Sequence, residues 1–249
     1  MVLRVFLILA IAAGSLCQIP IPKRPLGFVY NGGEADAPVH LDVYMGPLCP
    51  DSQMAFPTIT QLAISYGPKT LRLNIHLFPL PYHRNSFLVA MGQHVVDQVT
   101  NGNMSYTWMK NIYADLNALS NTATADQSEN QVKDKLSQIA STVGVSKSVF
   151  LSLMNNVNID ENTRIGWKYT CSRGVSGTPT FMVNDVLVGA DASWTVNDWK
   201  KVIDPLLQSA PSKSNTTCKI GTKKCEYLPG QIECCTPGEN CIPNVGCRC

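Results

Sequence analysis

The sequence has few long hydrophobic segments and little excess charge. Residues 5–13 form an apolar run that is shorter than the ~20 residues a membrane-spanning helix requires, and no other segment approaches that length. The formal net charge is only +2, and charged residues make up 15% of the chain, which argues against a nucleic-acid-binding surface and against intrinsic disorder. No Gly-rich phosphate loop, H-E-x-x-H motif or Ser-His-Asp arrangement stands out. The 45% hydrophobic composition is typical of a folded protein.

The first seventeen residues have the pattern of a secretory signal peptide. Arg4 precedes the apolar run of residues 5–13, and small residues then allow cleavage before Gln18. The run is too short for a membrane anchor, so we expect an exported mature chain with no membrane association. The sequence ends without a K-D-E-L signal, which favours secretion over residence in the endoplasmic reticulum.

Cysteine is concentrated at the C-terminal end of the chain. Removing Cys17 from the ten cysteines leaves nine, and seven of these lie in residues 218–249. This segment contains no histidine and no C-x2-C pair, so disulfides are favoured over a zinc site. We expect disulfides at Cys218, Cys225, Cys234, Cys235, Cys241, Cys247 and Cys249.

An odd number of tail cysteines requires a partner elsewhere in the chain. Cys171 is the natural candidate, since Cys171 and the seven tail cysteines would form four disulfides. The same counting allows Cys49 to be capped by Cys171 or by a tail cysteine. The sequence does not decide between these pairings.

Residues 39–57 contain the most informative single cysteine. An alternating, β-branched run stops at a Gly-Pro turn and restarts as a helix, with Cys49 at the turn. Pro50 suits the first helical position, and Asp51 adds a favourable negative charge to the first turn. The unpaired N–H groups of a helix N-terminus favour the nucleophilic thiolate of a cysteine. Cys49 is therefore the candidate nucleophile.

A second informative stretch is G-V-S-G-T-P-T-F-M-V-N at residues 174–184. Together, the two stretches resemble the thioredoxin superfamily, in which a strand leads into C-x-x-C at a helix start and a cis-proline loop lies against the active sulfur. The resemblance makes Pro179 the cis-proline and Thr178 the residue whose backbone faces Cys49 and pairs with an incoming chain, with Pro50 also in the substrate-binding region. Ser52 departs from the pattern, because it replaces the second cysteine and prevents a disulfide within the motif.

A long helical stretch between the two motifs narrows the resemblance to the DsbA-like branch. A strand at residues 70–78 would form a parallel pair with the strand before Cys49, both central to the sheet. The phrase F-P-L-P-Y-H-R-N-S-F then resembles that branch's transition into its helical insertion, expected at about residues 85–172. The apolar spacing predicts helices at residues 88–99, 106–119, 129–143, 147–154 and 160–171.

The predicted architecture is an α/β thioredoxin-like fold with a helical insertion and a small disulfide-rich C-terminal module. After the T-P-T-F strand, Asn184-Asp185 predicts a hairpin turn, and a last helix is expected from residue 193 to 207. The tail resembles knottin-like or granulin-like modules, mainly at Cys234-Cys235 and Cys241. The predicted segments are a signal peptide (1–17), an N-terminal arm (18–36), the DsbA-like domain (37–208), a linker (209–217) and the cysteine-rich module (218–249).

Three functions are compatible with this pattern. The first is secreted thiol–disulfide exchange of the monothiol isomerase or reductase type, with Cys49 and Ser52 as catalytic residues and cysteine-containing client proteins or peptides as partners. Ser52 could donate a hydrogen bond to the thiolate, and no cofactor is needed beyond glutathione as a resolving thiol. The second is a noncatalytic extracellular binding or chaperone-like protein. The third and weakest is a glutathione-dependent transferase. The oligomeric state is left open.

Four further positions have secondary roles. His83 is a candidate for assisting proton transfer, although a packing role is the commoner one for a histidine. Asp51 could tune the thiol electrostatically, although helix capping explains it as well. Asn103 and Asn215 lie in N-x-[ST] sequons and are candidate glycosylation sites. No metal site is expected.

Overall fold

A computed structural model describes residues 21–22, 25–207, 218–228, 231–243 and 245–248 of the 249-residue chain. The expected signal peptide and linker lie outside these residues. No helix within the described ranges is both long and apolar enough to cross a membrane. Contacts between Cα atoms divide the chain into two compact units. The helical unit comprises the described residues up to Phe28, Tyr44–Leu48 and His76–Thr178, and the Cys49 unit comprises Val29–Val43, Cys49–Ile75 and the described residues from Pro179 onward.

Five strands form the main sheet, in the order β1-β3-β2-β4-β5. Two main-chain hydrogen bonds show that β2 and β3 run parallel: Val39 N–H donates to Thr70 O at one end, and Phe78 N–H donates to Met45 O at the other. Both strands have other strands on each side, as the sequence predicts. The strands are β1 (Phe28–Val29), β2 (Val39–Met45), β3 (Leu71–Leu77), β4 (Thr180–Val183) and β5 (Val186–Val188).

The Cys49 unit contains α1 (Pro50–Tyr66) and α7 (Val196–Leu207). The Tyr66 hydroxyl at the end of α1 donates to the Asp204 carboxylate on α7. Partial burial, followed by the hydrogen bond and the negative charge of Asp204, raises the pKa of Tyr66 above its usual range. Apolar side chains also hold α7, because the buried Trp199 ring packs edge-on against Phe181 of β4.

The turn between β4 and β5 confirms the predicted hairpin. Asn184 and Asp185 have φ values of 47° and 66°, as a two-residue type I′ turn requires. The Asn184 side chain also accepts from His40 N–H at 2.8 Å and donates to Pro38 O at 3.2 Å. The hairpin is thereby tied to the start of β2.

The helical unit contains the insertion, and its helices pack around buried aromatic side chains. Trp108 and Phe150 are fully buried with ring centroids 5.6 Å apart. Gly92 lets these two rings approach the backbone, since an added Cβ there would lie 2.8 Å from Trp108 and 3.1 Å from Phe150. The helices are α2 (Ser86–Thr100), α3 (Ser105–Ala114), α4 (Glu129–Ser141), α5 (Lys147–Leu153) and α6 (Val157–Ser172), with a 3-10 turn at Leu116–Leu119.

The predicted helix at residues 106–119 ends at Ala114 and is followed by the 3-10 turn. The starts of α6 and α7 each differ by three residues from the sequence-based bounds, because local caps decide them. The helix α6 begins three residues earlier than expected, since the Asn156 side chain accepts from Asn158 N–H and caps it. The helix α7 begins later than expected. Its first turn is capped by a reciprocal pair in which Thr195 N–H donates to Asp198 and Asp198 N–H donates to the Thr195 hydroxyl.

The tail consists of two short hairpins held together by disulfides. Strands β6 (Lys223–Leu228) and β7 (Gln231–Cys235) form one antiparallel pair, and β8 (Asn240–Ile242) and β9 (Gly246–Arg248) form the other. Their buried cluster is made of cysteines, Cys225, Cys235 and Cys247, with Tyr227 packed against it. The three bridges join Cys218 to Cys234, Cys225 to Cys241 and Cys235 to Cys247.

Candidate functional site around Cys49

Cys49 caps the N-terminus of α1. Its backbone is extended, with φ −88° and ψ 125°, and Pro50 takes the first helical position. Gln53 N–H donates to Cys49 O at 3.0 Å, which closes the first turn of the helix. The side chain is 5% exposed and lies outside the three disulfides. The sulfur therefore stands where the positive end of a helix stabilises an anion.

The other two motif residues differ in their exposure. Asp51 faces solvent in the first turn of α1, where a negative charge stabilises the helix. Ser52 is fully buried. Ser52 is the third residue of α1, and the Cys49 side chain makes no capping hydrogen bond to the helix. The hydrogen bond from Ser52 to the Cys49 thiolate stays a prediction.

The T-P-T-F segment lies directly before β4. Thr178 is the last residue of the helical unit, and Pro179 begins the final segment of the Cys49 unit. Both side chains are half-buried. Cys49 and Pro179 thus belong to the same compact unit. The roles that the family resemblance assigns to Thr178 and Pro179 remain predictions.

Cys171 differs from the sequence-based expectation. It carries an exposed thiol near the C-terminal end of α6 and is not part of a disulfide. The expected fourth disulfide through Cys171 is therefore absent from the described residues, and Cys249 lies outside them. Six tail cysteines pair among themselves, because two antiparallel hairpins bring those side chains within bonding distance. Cys171 is then not needed to complete these pairs.

The tail cysteines also form the only cluster of metal-type ligands found among the described residues. The sulfur atoms of Cys225, Cys235 and Cys247 lie within 4.8 Å of one another. All three are committed to disulfides. A metal ion binds thiolates rather than disulfide sulfur, so the cluster is a structural core.

His83 lies in the turn between β3 and α2 and packs its ring edge-on against the exposed Tyr82 at 5.0 Å. Partial burial lowers the pKa of His83, so the ring is largely neutral near pH 7. Neutral imidazole can accept a proton. This is consistent with the proton-transfer role considered for it, and that role stays a prediction.

Of the two sequons, Asn103 is exposed in the turn between α2 and α3. The Ser105 hydroxyl of this sequon is buried and donates to Asp97 at 2.9 Å. Asn215 lies outside the described residues. Asn103 therefore has the accessibility that a glycan requires.

Sequence reasoning missed the side chains that hold the segment leading to Cys49. Tyr44 stacks on His76 with ring centroids 4.8 Å apart, and His76 in turn packs against Tyr169 of α6. Two residues further on, Gly46 O accepts a hydrogen bond from the Tyr113 hydroxyl at 3.2 Å. The sequence contains no signal for these contacts, since Tyr113 follows Gly46 by 67 residues.

A family comparison identifies the fold that carries this site. The family model of DSBA-like thioredoxin domains matches residues 40–198. The chain belongs to the DsbA-like thioredoxin family. The match includes Cys49, Ser52 and Pro179 and leaves the disulfide-rich tail outside. No curated protein matches the sequence.

Solved structures agree with this DsbA-like assignment. A proposed protein-disulfide isomerase from Pseudomonas syringae superposes with a TM-score of 0.63 at 18% identity, covering 71% of this chain and 97% of that one. BdbD from Bacillus subtilis, in its oxidised form, gives 0.57 at 15% identity, covering 74% and 94%. The α-DsbA1 of Wolbachia pipientis gives 0.58 at 17% identity, covering 76% and 92%. At these identities the likeness shows the fold alone.

Proposed function

We propose that this protein catalyses thiol–disulfide exchange through the single thiol of Cys49. One observation carries the proposal: in a DsbA-like domain, Cys49 caps the N-terminus of α1 and lies outside the disulfides. The thiolate of a cysteine is the attacking species in disulfide exchange. Ser52 supports the thiolate from the same turn. The Thr178-Pro179 segment aligns the client chain.

The absence of a second cysteine in the motif sets the type of reaction. The Cys49 thiolate attacks one sulfur of a client disulfide, and the other client sulfur leaves as a thiolate. A second client thiolate then attacks the client sulfur of the mixed disulfide, and Cys49 leaves as a thiolate. One disulfide is broken and one is formed, so the client is isomerised with no net oxidation or reduction.

Net reduction of a client requires an external thiol, for which we propose glutathione. One glutathione thiolate attacks the Cys49 sulfur of the mixed disulfide and releases the client as a thiol. A second glutathione attacks the resulting Cys49–glutathione disulfide, which regenerates Cys49 and forms oxidised glutathione. Two glutathione molecules thus supply the two electrons. Glutathione acts here as a co-reactant.

The proposed setting is outside the cell, after removal of residues 1–17. Three disulfides in the described tail suit an oxidising compartment. The clients would be secreted proteins or peptides that contain disulfides, which are the substrates that a monothiol site can rearrange.

The experiment uses the mature chain and two single variants, Cys49→Ser and Cys171→Ser. Refolding of a scrambled disulfide protein is followed in a glutathione buffer, and mass spectrometry of acid-quenched samples locates mixed disulfides. We expect catalysis and client adducts with the unchanged chain and with Cys171→Ser, and neither with Cys49→Ser. Equal catalysis by all three proteins would contradict a role for Cys49.

One observation favours a second candidate, a noncatalytic binding protein. Cys49 is only 5% exposed, which leaves little sulfur surface for a client to reach. A noncatalytic protein would suppress aggregation of a reduced client equally well before and after the Cys49→Ser substitution, and it would form no adduct. The comparison of the unchanged chain with Cys49→Ser therefore separates the two functions.

A further inference from the structure

Three consecutive residues at the end of β2 and directly after it, at positions 44–46, each contact another part of the helical unit. Tyr44 stacks on His76, and Met45 O accepts from Phe78 N–H at 2.9 Å. The next carbonyl, of Gly46, accepts from the Tyr113 hydroxyl of α3 at 3.2 Å. Tyr113 is 4% exposed, so the bond is shielded from water. A side chain of the helical insertion therefore anchors the chain three residues before the cysteine.

The turn at residues 46–48 contains few hydrogen-bond donors of its own, so a donor from elsewhere in the chain is important for its shape. Pro47 and Pro50 lack N–H groups, so the turn has fewer donors with which to fix its own shape. Leu48, between them, is buried at 4% exposure. A buried hydrogen bond to Gly46 O adds a directional constraint three residues before Cys49. Residues 46–48 lead directly into Cys49, which is the N-cap residue of α1.

We propose that Tyr113 is a positioning residue for Cys49, holding the Gly46–Leu48 turn so that the sulfur stays at the N-terminus of α1. The inference rests on the proposed function, since it concerns the reactivity of the same thiol. Tyr113 does not touch the reacting sulfur. Its hydroxyl acts through Gly46 and the peptide bonds that follow.

The same helix offers a matched control. The Tyr106 hydroxyl on α3 donates to Phe28 O at 2.8 Å, which is also a bond from a tyrosine side chain to a main-chain carbonyl. Tyr106→Phe and Tyr113→Phe therefore remove the same chemical group from the same helix. Only Tyr113 is connected to the turn before Cys49.

The test measures the rate of iodoacetamide alkylation of Cys49 from pH 5 to 9 by peptide mass spectrometry. The exposed Cys171 thiol provides an internal reference in every sample. We expect Tyr113→Phe to lower the ratio of the Cys49 rate to the Cys171 rate about two- to five-fold, because a loosened turn holds the sulfur at the start of α1 for less of the time. Tyr106→Phe should retain the original profile and Cys171 should be unchanged.

Each other outcome overturns the positioning role of Tyr113 alone or both proposals together. Equal Cys49 profiles for Tyr113→Phe and the unchanged chain, or equal shifts in both tyrosine variants, overturn the positioning role of Tyr113. A Cys49 that fails to react at any pH in the unchanged chain overturns the exchange mechanism and its positioning residue together. Urea unfolding of both variants shows whether they are folded, because a general loss of stability would change the rates of Cys49 and Cys171 together.

Discussion

At the scale of single residues, Ser52 offers a direct test of the proposed exchange at Cys49. Its side chain is fully buried in the first turn of α1. Ser52→Cys should place a resolving thiol within reach of Cys49 and raise reductase turnover by about tenfold or more, since an intramolecular thiol has a far higher effective concentration than a soluble one. Insulin reduction in a glutathione buffer measures this. Ser65→Cys, at the exposed end of the same helix, is the control and should leave turnover unchanged.

Asp198 contributes a stability that depends on pH. Hydrogen bonds from Lys201 and then from Thr195 hold the pKa of Asp198 well below its usual value. Because the folded-state pKa lies below the unfolded one, the stabilisation is present at neutral pH and is lost as the pH falls through the acid range. Asp198→Asn should therefore unfold at lower urea concentration than the unchanged chain at pH 7.

The Asp198→Asn difference should shrink as the pH falls below about 4, because the unfolded carboxylate then becomes protonated while the folded one is still ionised, and it should vanish only once the folded carboxylate is protonated as well. Urea unfolding at pH 7, 4 and 2 checks it. Asp126→Asn removes an exposed carboxylate from the loop before α4 and leaves the α7 cap intact. A destabilisation by Asp198→Asn that persists unchanged at pH 2 would show that the charge is not responsible.

At the scale of elements, two helical glycines give opposite predictions. Gly92→Ala on α2 would place a Cβ 2.8 Å from the Trp108 ring, and overpacking should outweigh the gain in helix propensity and destabilise the fold by about 1–2 kcal/mol. Gly166→Ala on α6 meets no atom within 4 Å, so it should stabilise the fold by about 0.5–1 kcal/mol. Thermal unfolding of both variants measures the signs, and equal shifts would refute the packing argument.

At the scale of the whole molecule, the tail depends on its bridges. Its buried cluster consists of three cysteines and one packed tyrosine, which is too little apolar surface for a module of this size to fold alone. Replacing both Cys225 and Cys241 with serine removes a bridge with a sequence separation of 16 and should cost about 3 kcal/mol of tail stability. The tail should then become sensitive to protease.

Limited proteolysis with mass spectrometry measures the effect of this double variant. The predicted cleavages fall after residue 218, while residues 39–207 should resist as in the unchanged chain. Cys171→Ser is the control, because Cys171 is an exposed thiol outside the three bridges. A tail that resists protease equally well without the Cys225–Cys241 bridge would show that contacts other than sulfur hold it.

Much of the fold could be predicted because it follows from short-range patterns. The helix after Cys49 ends at Tyr66, where Gly67 adopts φ 76°, and its Pro50 start could be read from the sequence. Ser146 caps α5 by accepting from Val149 N–H, and a serine directly before a helix is a cap that local sequence can predict. These features depend on neighbours within a few residues, where propensity and capping chemistry suffice.

Other features depend on residues that are distant in the sequence. Residues 121–128 form a mostly exposed loop, and the Arg84 guanidinium fixes it from a distance by donating to the carbonyls of Thr124, Ala125 and Gln127. Cys171 was expected in a disulfide and is an exposed thiol. Counting cysteines shows only whether all of them can pair. Which cysteines pair depends on which Cβ atoms the folded chain brings within a few ångströms of one another.

The sequence by itself determined the DsbA-like domain, the helix that starts after Cys49 and the disulfide-rich nature of the tail, because each is encoded in periodicity, caps or cysteine spacing. Only the tertiary structure decided that Ser52 is fully buried, that six tail cysteines pair among themselves and that Tyr113 holds Gly46. Burial and long-range hydrogen bonds are set by the packing of distant segments, and no local pattern specifies that packing.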